Sequence, residues 1–134
     1  MNENVKSSEP ESSVNLEALI DYCAGKESLA QRVLESFLQI SPQYLAEFTK
    51  ALECGDSDEL RALCHKNQGA AGIIHAESLL RLIAQIRQFA IDQEIEKAQE
   101  CLPELEKAFA EINAFIKKTL SPDPAELDQS LWKI

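Results

Sequence analysis

His65, Gln68, Gly69 and Gly72 are the residues of this chain whose types and spacing could do chemistry. They lie in the stretch from Asp56 to Leu79, DSDELRALCHKNQGAAGIIHAESL. Wound as one helix at about 100° per residue, that stretch separates into two unlike faces. Leu60, Leu63, Ala70, Ala71 and Ile74 fall on one, and Asp58, Arg61, His65, Gln68, Gly69 and Gly72 on the other. An imidazole therefore stands midway along a polar face, and four and seven residues further on there is no side chain at all. Glycine inside a helix costs roughly 0.5–1 kcal/mol relative to alanine. Two of them beside a histidine predict that something outside the helix approaches it closely.

A lone exposed imidazole suits one reaction in particular. Its neutral Nε2 is a good nucleophile near neutral pH. It can attack an acyl phosphate on a partner's aspartate and hold the phosphoryl group as a phosphoramidate that passes on readily. Such a site needs exposure, a donor one turn away to orient phosphate oxygens, and a bare surface on which the partner's pocket can close. Gln68 is placed as the donor, and Gly69 and Gly72 supply the bare surface. Arg61 and Lys66 flank His65 and could touch a partner's acidic rim, although an amphipathic helix carries such charges in any case.

Other chemistries find less support. There is no G-x-S-x-G elbow, and neither histidine has a Ser or Cys in a triad relation. No Gly-rich phosphate loop follows a strand, because no strand is evident. The four cysteines, Cys23, Cys54, Cys64 and Cys101, match no zinc spacing and read as small apolar residues. Cys64 is next to His65, but adjacent helix positions diverge by about 100° and do not readily share an ion, so no metal site is expected. His75 is most simply a turn residue and stands as a secondary candidate.

The bulk numbers argue against a nucleic-acid or membrane binder. The 134 residues fit one domain, 45% of them apolar, with few glycines and prolines and 6% aromatics. This composition predicts an all-α domain. Thirteen basic against 23 acidic residues give a net charge of −10, which argues against nucleic acid and anionic membranes. No run approaches the length of a membrane span, and MNENVKSSEPESS lacks the layout of a signal peptide, so a cytoplasmic location is expected.

Several elements must position the histidine. Residues 1–13 read as a disordered leader. A short helix near Asn15–Cys23 is capped by Asn15 and ended by Ala24-Gly25. A long stripe through Leu29, Val33, Phe37, Ile40, Tyr44, Phe48 and Leu52 makes one helix face, with a kink or short break predicted near Ile40–Ser41 because of Pro42. Gly55 supplies a left-handed cap, and Asp56 with Glu59 resembles a capping box for the His65 helix, which should end near Ile74–His75. A helix over roughly Ala76–Ala90 follows. The last, about Asp92–Thr119, carries a heptad of Ile95, Leu102, Phe109 and Ile116 with Ala98, Leu105 and Ile112, and Pro103 predicts a bend or restart within it. That heptad fits a bundle, with a coiled-coil dimer as the alternative. Ser121-Pro122-Asp123-Pro124 stops the helix, and Leu131-Trp132 either packs back on the bundle or dangles.

His65 to Leu79, HKNQGAAGIIHAESL, resembles the signature of histidine-containing phosphotransfer (HPt) domains of bacterial two-component phosphorelays. That signature is a His, a Lys three residues on, a Gly directly after it, small residues, a second Gly ten after the His, and a Leu four residues further. His65, Gly69, Ala70, Ala71 and Leu79 match it. The resemblance covers about residues 14–120, leaving 121–134 as a tail. It implies an antiparallel four-helix bundle with a short additional N-terminal helix, with the histidine exposed in mid-helix. It also implies a phosphocarrier without autokinase activity, expected as a monomer. His65 would shuttle phosphate between receiver-domain aspartates, with a response-regulator receiver domain and a hybrid sensor histidine kinase as partners. No cofactor belongs to the chain itself, and magnesium would come from the receiver.

Three positions depart from the signature. Its Lys is Gln68, which can donate a hydrogen bond but brings no charge. Its second Gly is His75, one of the few non-glycine residues that enter the left-handed region readily. Asn67 stands on the core side, where an amide without partners costs about 1–3 kcal/mol. Gln68 and His75 support an alternative role, a pseudo-HPt module that docks a receiver or kinase and regulates it without phosphotransfer.

Overall fold

The computed structural model describes residues 14–120, and among them every regular element is a helix. In chain order these are α1 (Leu16–Tyr22), α2 (Glu27–Cys54), α3 (Ser57–Ile73), α4 (Glu77–Ile91), α5 (Ile95–Gln99) and α6 (Leu102–Thr119). The long helices α2, α3, α4 and α6 form an antiparallel four-helix bundle. In it α2 packs on α3 and α6, α3 on α4, and α4 on α6. The short α1 lies against α2, and α5 bridges α4 to α2. The leader, the 121–134 tail and the alternatives for Trp132 lie outside the described residues.

Local chemistry sets the boundaries. The Asn15 side chain accepts from Ala18 N at 3.0 Å and starts α1, and Ala24 and Gly25, both at positive φ, end it. Gly55 closes α2 in the left-handed region at φ +68, with its N–H on Leu52 O and the Asp56 N–H on Ala51 O. The Asp56 carboxylate then caps α3 by accepting from Glu59 N at 3.0 Å. Only half of the expected capping box forms, because the Asp56 N–H that Glu59 would reach is already committed to the end of α2.

Of the kink or short break expected near Ile40–Ser41, the break does not occur: α2 runs unbroken through Pro42. Proline at 42 removes the N–H that would serve Leu38 O. The Ser41 hydroxyl takes its place, 3.3 Å from that carbonyl. The same hydroxyl lies 3.0 Å from the Asn113 side-chain amide on α6, so a polar contact between helices stands beside the proline. Past α4 the expected single helix is two. It restarts one residue before Pro103, which occupies the first turn of α6 where no N–H is needed.

The apolar stripes close on one another. Leu34, Phe48, Leu52, Leu60, Ile83, Ile86, Leu105, Phe109 and Ile112 are buried in one core. Phe37 stacks on Phe109 with centroids 6.2 Å apart. The α6 heptad spends its seam inside this chain: Leu105, Phe109, Ile112 and Ile116 are all buried. A coiled-coil partner would find no free seam there.

Candidate functional site

His65 sits in the middle of α3, exposed, with Leu63 and Cys64 on the buried side just before it. The two faces expected from the sequence are those observed. Leu60, Leu63, Ala71 and Ile74 are buried, Ala70 and Gly72 are half-buried, and Asp58, Arg61, His65, Gln68 and Gly69 are exposed. The imidazole forms no hydrogen bond or ion pair within the described residues, so both ring nitrogens are available.

The two glycines beside it are not required by the bundle. A Cβ built at Gly69 or at Gly72 would meet nothing within 4 Å, and neither residue has a positive φ. Their helix-propensity cost therefore has no return among the described residues. What their absence of side chains provides is an open strip running from His65 toward the end of α3.

His75 does play a backbone role. It has φ +54, its N–H bonds Gly72 O at 3.1 Å, and the Ala76 N–H bonds Ala71 O at 3.0 Å. This pair of bonds is a Schellman ending of α3, with His75 at the left-handed position. Asn15 N also bonds Ile74 O at 3.3 Å, holding the chain before α1 against this turn.

The charged neighbours divide between the two flanks of α3. Lys66 leans to the α2 side, with Nζ 3.4 Å from a Glu47 oxygen and 5.6 Å above the Tyr44 ring. Gln43 donates to the same carboxylate at 3.2 Å. That hydrogen bond, assisted by Lys66 against partial burial, holds Glu47 below the usual carboxylate range. Arg61 is one turn before His65 on its own face and is only loosely paired with Asp58 at 3.6 Å. Gln68, one turn after, is exposed. Between α2 and α3, beyond Lys66, lies an open apolar groove of about 780 Å³ lined by Val33, Phe37, Ile40, Tyr44, Ala70 and Ile73.

Asn67 and Cys64 face inward. Asn67 is buried, and its amide donates to Leu63 O at 2.9 Å one turn back. No buried side-chain polar atom among the described residues is left without a partner. Burial pushes the Cys64 thiol up to about 12, an effect the positive charge of Arg87 partly offsets. At neutral pH it is a protonated apolar residue and not a nucleophile.

The sequence did not single out Arg87. It stands exposed on α4, across the helical hairpin from Cys64. The signal that could have found it is the register of that hairpin. Roughly equal counts on either side of the Ile74–Ala76 turn bring positions 85–87 level with His65.

Comparison with known proteins agrees with this architecture. The family model described as "Hpt domain" matches residues 32–115, and the chain belongs to that family. A curated relative, the "Phosphorelay intermediate protein rdeA" of Dictyostelium discoideum, is 24% identical over 103 residues, 77% of this chain. The match spans 41% of the relative, so the chain corresponds to about two fifths of it. Among solved structures, histidine-containing phosphotransfer protein B (HptB) from Pseudomonas aeruginosa PAO1 superposes with a TM-score of 0.73 at 21% identity. The superposition covers 81% of this chain and 94% of that one, and it shows a shared fold.

Proposed function

We propose that this protein carries a phosphoryl group on His65 between the aspartates of receiver domains in a phosphorelay. Membership of the Hpt family and the likeness to a phosphorelay intermediate support the relay role. The observation that carries the residue assignment is the unpartnered, exposed imidazole beside two glycines for which the bundle itself has no use.

In this role the Nε2 lone pair of the neutral ring attacks the phosphorus of an aspartyl phosphate. The N–P bond forms, the P–O bond breaks, and the aspartate leaves as carboxylate with the bonding pair. The phosphorylated ring keeps its Nδ1 proton or passes it to solvent. Transfer to the next receiver reverses these steps. Gln68 donates to a phosphoryl oxygen, and Gly69 and Gly72 let the receiver's rim reach the ring. The groove beside Ala70 and Ile73 adds apolar contact area. Arg61 meets the receiver's acidic rim on one flank and Lys66 on the other. Magnesium belongs to the receiver's aspartate pocket. His75 remains a second acceptor candidate, although its place in the turn accounts for it.

Gln68 also favours a second role, since a neutral amide attracts phosphate more weakly than an ammonium. There the chain docks a receiver or a kinase and regulates it by binding alone. Incubation with a phosphorylated receiver separates the two. Acid-labile label on wild type and none on His65→Gln supports transfer, whereas measurable receiver binding with no label on any variant supports docking alone.

A further inference from the structure

We propose that residues 121–134 fold back along the groove between α2 and α3 and cover it in the free protein. That groove is the part of the α2 stripe which the bundle leaves uncovered. The sequence places Val33, Ile40 and Tyr44 on a core face, yet all three are only half-buried. Across from them on α3, Ala70 and Ile73 are half-buried too. Two of the three most exposed large apolar side chains among the described residues extend the same surface. Tyr22 lines the groove at 65% exposure, and Leu29 lies one turn before Val33 at 42%. An open apolar groove of about 780 Å³ calls for an apolar occupant.

The sequence beyond Leu120 has the matching pattern. Asp123-Pro124-Ala125-Glu126 reads as a helix start, with an acidic cap, proline at the first helical position and glutamate at the third. Counted on from there, Leu127, Leu131 and Ile134 recur at four and three residues and share one helix face. The leader, with Met1 and Val5 as its large apolar residues, has no such face.

The reach fits as well. α6 runs antiparallel to α2, with Asn113 beside Ser41, so Leu120, seven residues on, comes level with Leu34, next to Val33. α2 itself separates α6 from the groove, and a helix is about 10–12 Å across. Residues 121–124, where each of two prolines keeps the residue before it extended, span about 13 Å. A helix over the remaining ten residues is about 15 Å long, and Val33 to Tyr44 on α2 covers about 16 Å.

A segment docked there lies along Ala70 and Ile73, on the edge where the phosphocarrier role brings a receiver over Gly69 and Gly72. The two then compete for one surface, and this consequence alone rests on that role.

The test is methyl NMR on the full chain. In wild type, NOEs are expected from Leu127, Leu131 or Ile134 to Val33, Ile40 or Ile73. In Leu131→Asp they are lost and the Ile73 methyl shifts, while Ile91, exposed at the far end of α4, stays in place. Thermal melts of the two proteins coincide. Absence of these NOEs from wild type overturns the docking. So does their appearance only between labelled and unlabelled chains, which makes a second copy the occupant, and so do groove shifts that arise only on adding a receiver. Transfer from a phosphorylated receiver is expected to be faster in Leu131→Asp by about twofold or more, as for a groove covered at least half of the time. Equal rates with the NOEs present overturn the competition alone. A wild-type chain that takes no label overturns the phosphocarrier role and leaves the docking standing.

Discussion

Gly69→Ala and Gly72→Ala should make the protein more stable and a worse phosphocarrier. Gly69 is interior to α3 and Gly72 is its next-to-last residue, and an added methyl at either meets nothing within 4 Å among the described residues. The fold therefore gains the helix-propensity difference of roughly 0.5–1 kcal/mol at Gly69, and less at Gly72 near the helix end, with no steric cost to subtract. For a domain of this size the larger gain is a rise in melting temperature of about 2–4 °C. At a closed intermolecular contact, extra atoms cost about 1–3 kcal/mol, so transfer from a phosphorylated receiver should slow by about 5- to 150-fold. Thermal melts and single-turnover transfer on the same preparations read both quantities. A fall in melting temperature would show that the glycines serve the bundle. A rise with unchanged transfer would show that no partner closes over them.

Other consequences are independent of any receiver. Ser41→Ala leaves Leu38 O without the hydroxyl that replaces the missing Pro42 N–H, and should cost about 1–3 kcal/mol in urea denaturation. Asp56→Ala removes the α3 cap and should cost about 1 kcal/mol by the same assay. Iodoacetamide at neutral pH should modify exposed Cys54 in the folded state and reach buried Cys23, Cys64 and Cys101 only on unfolding. The folded Cys64 thiol keeps its proton to about 12, against 9.0 for a free one. The native state thus binds the extra proton between those values, and its stability falls as pH rises through that window. Melts from pH 8 upward should decline less steeply for Cys64→Ala than for wild type.

Most of the fold was legible because local rules decided it. Asn15, Gly55 and Asp56 cap where residues of their kind cap, and the α6 heptad is buried where its period places it. Of the kink or short break that Pro42 predicts, the break does not occur. The compensating hydroxyl of Ser41 is a detail of side-chain rotamer, and its second partner, Asn113, is remote in sequence. The split between α5 and α6 was half legible, with Pro103 marking the restart.

The exposed face around His65 was legible from helical periodicity. The engagement of Lys66 by Glu47 and Tyr44 was not, because it crosses between helices. Arg87 was hidden for the same reason. The fit of His75 to a left-handed turn was conditional in the sequence and is explicit in its φ of +54.

The most direct test of the phosphocarrier role is label transfer from a phosphorylated receiver to wild type, His65→Gln and His75→Gln in parallel. Acid-labile phosphate should appear on wild type and His75→Gln and be absent from His65→Gln, with all three equally folded. Label retained by His65→Gln, or lost only in His75→Gln, would contradict it.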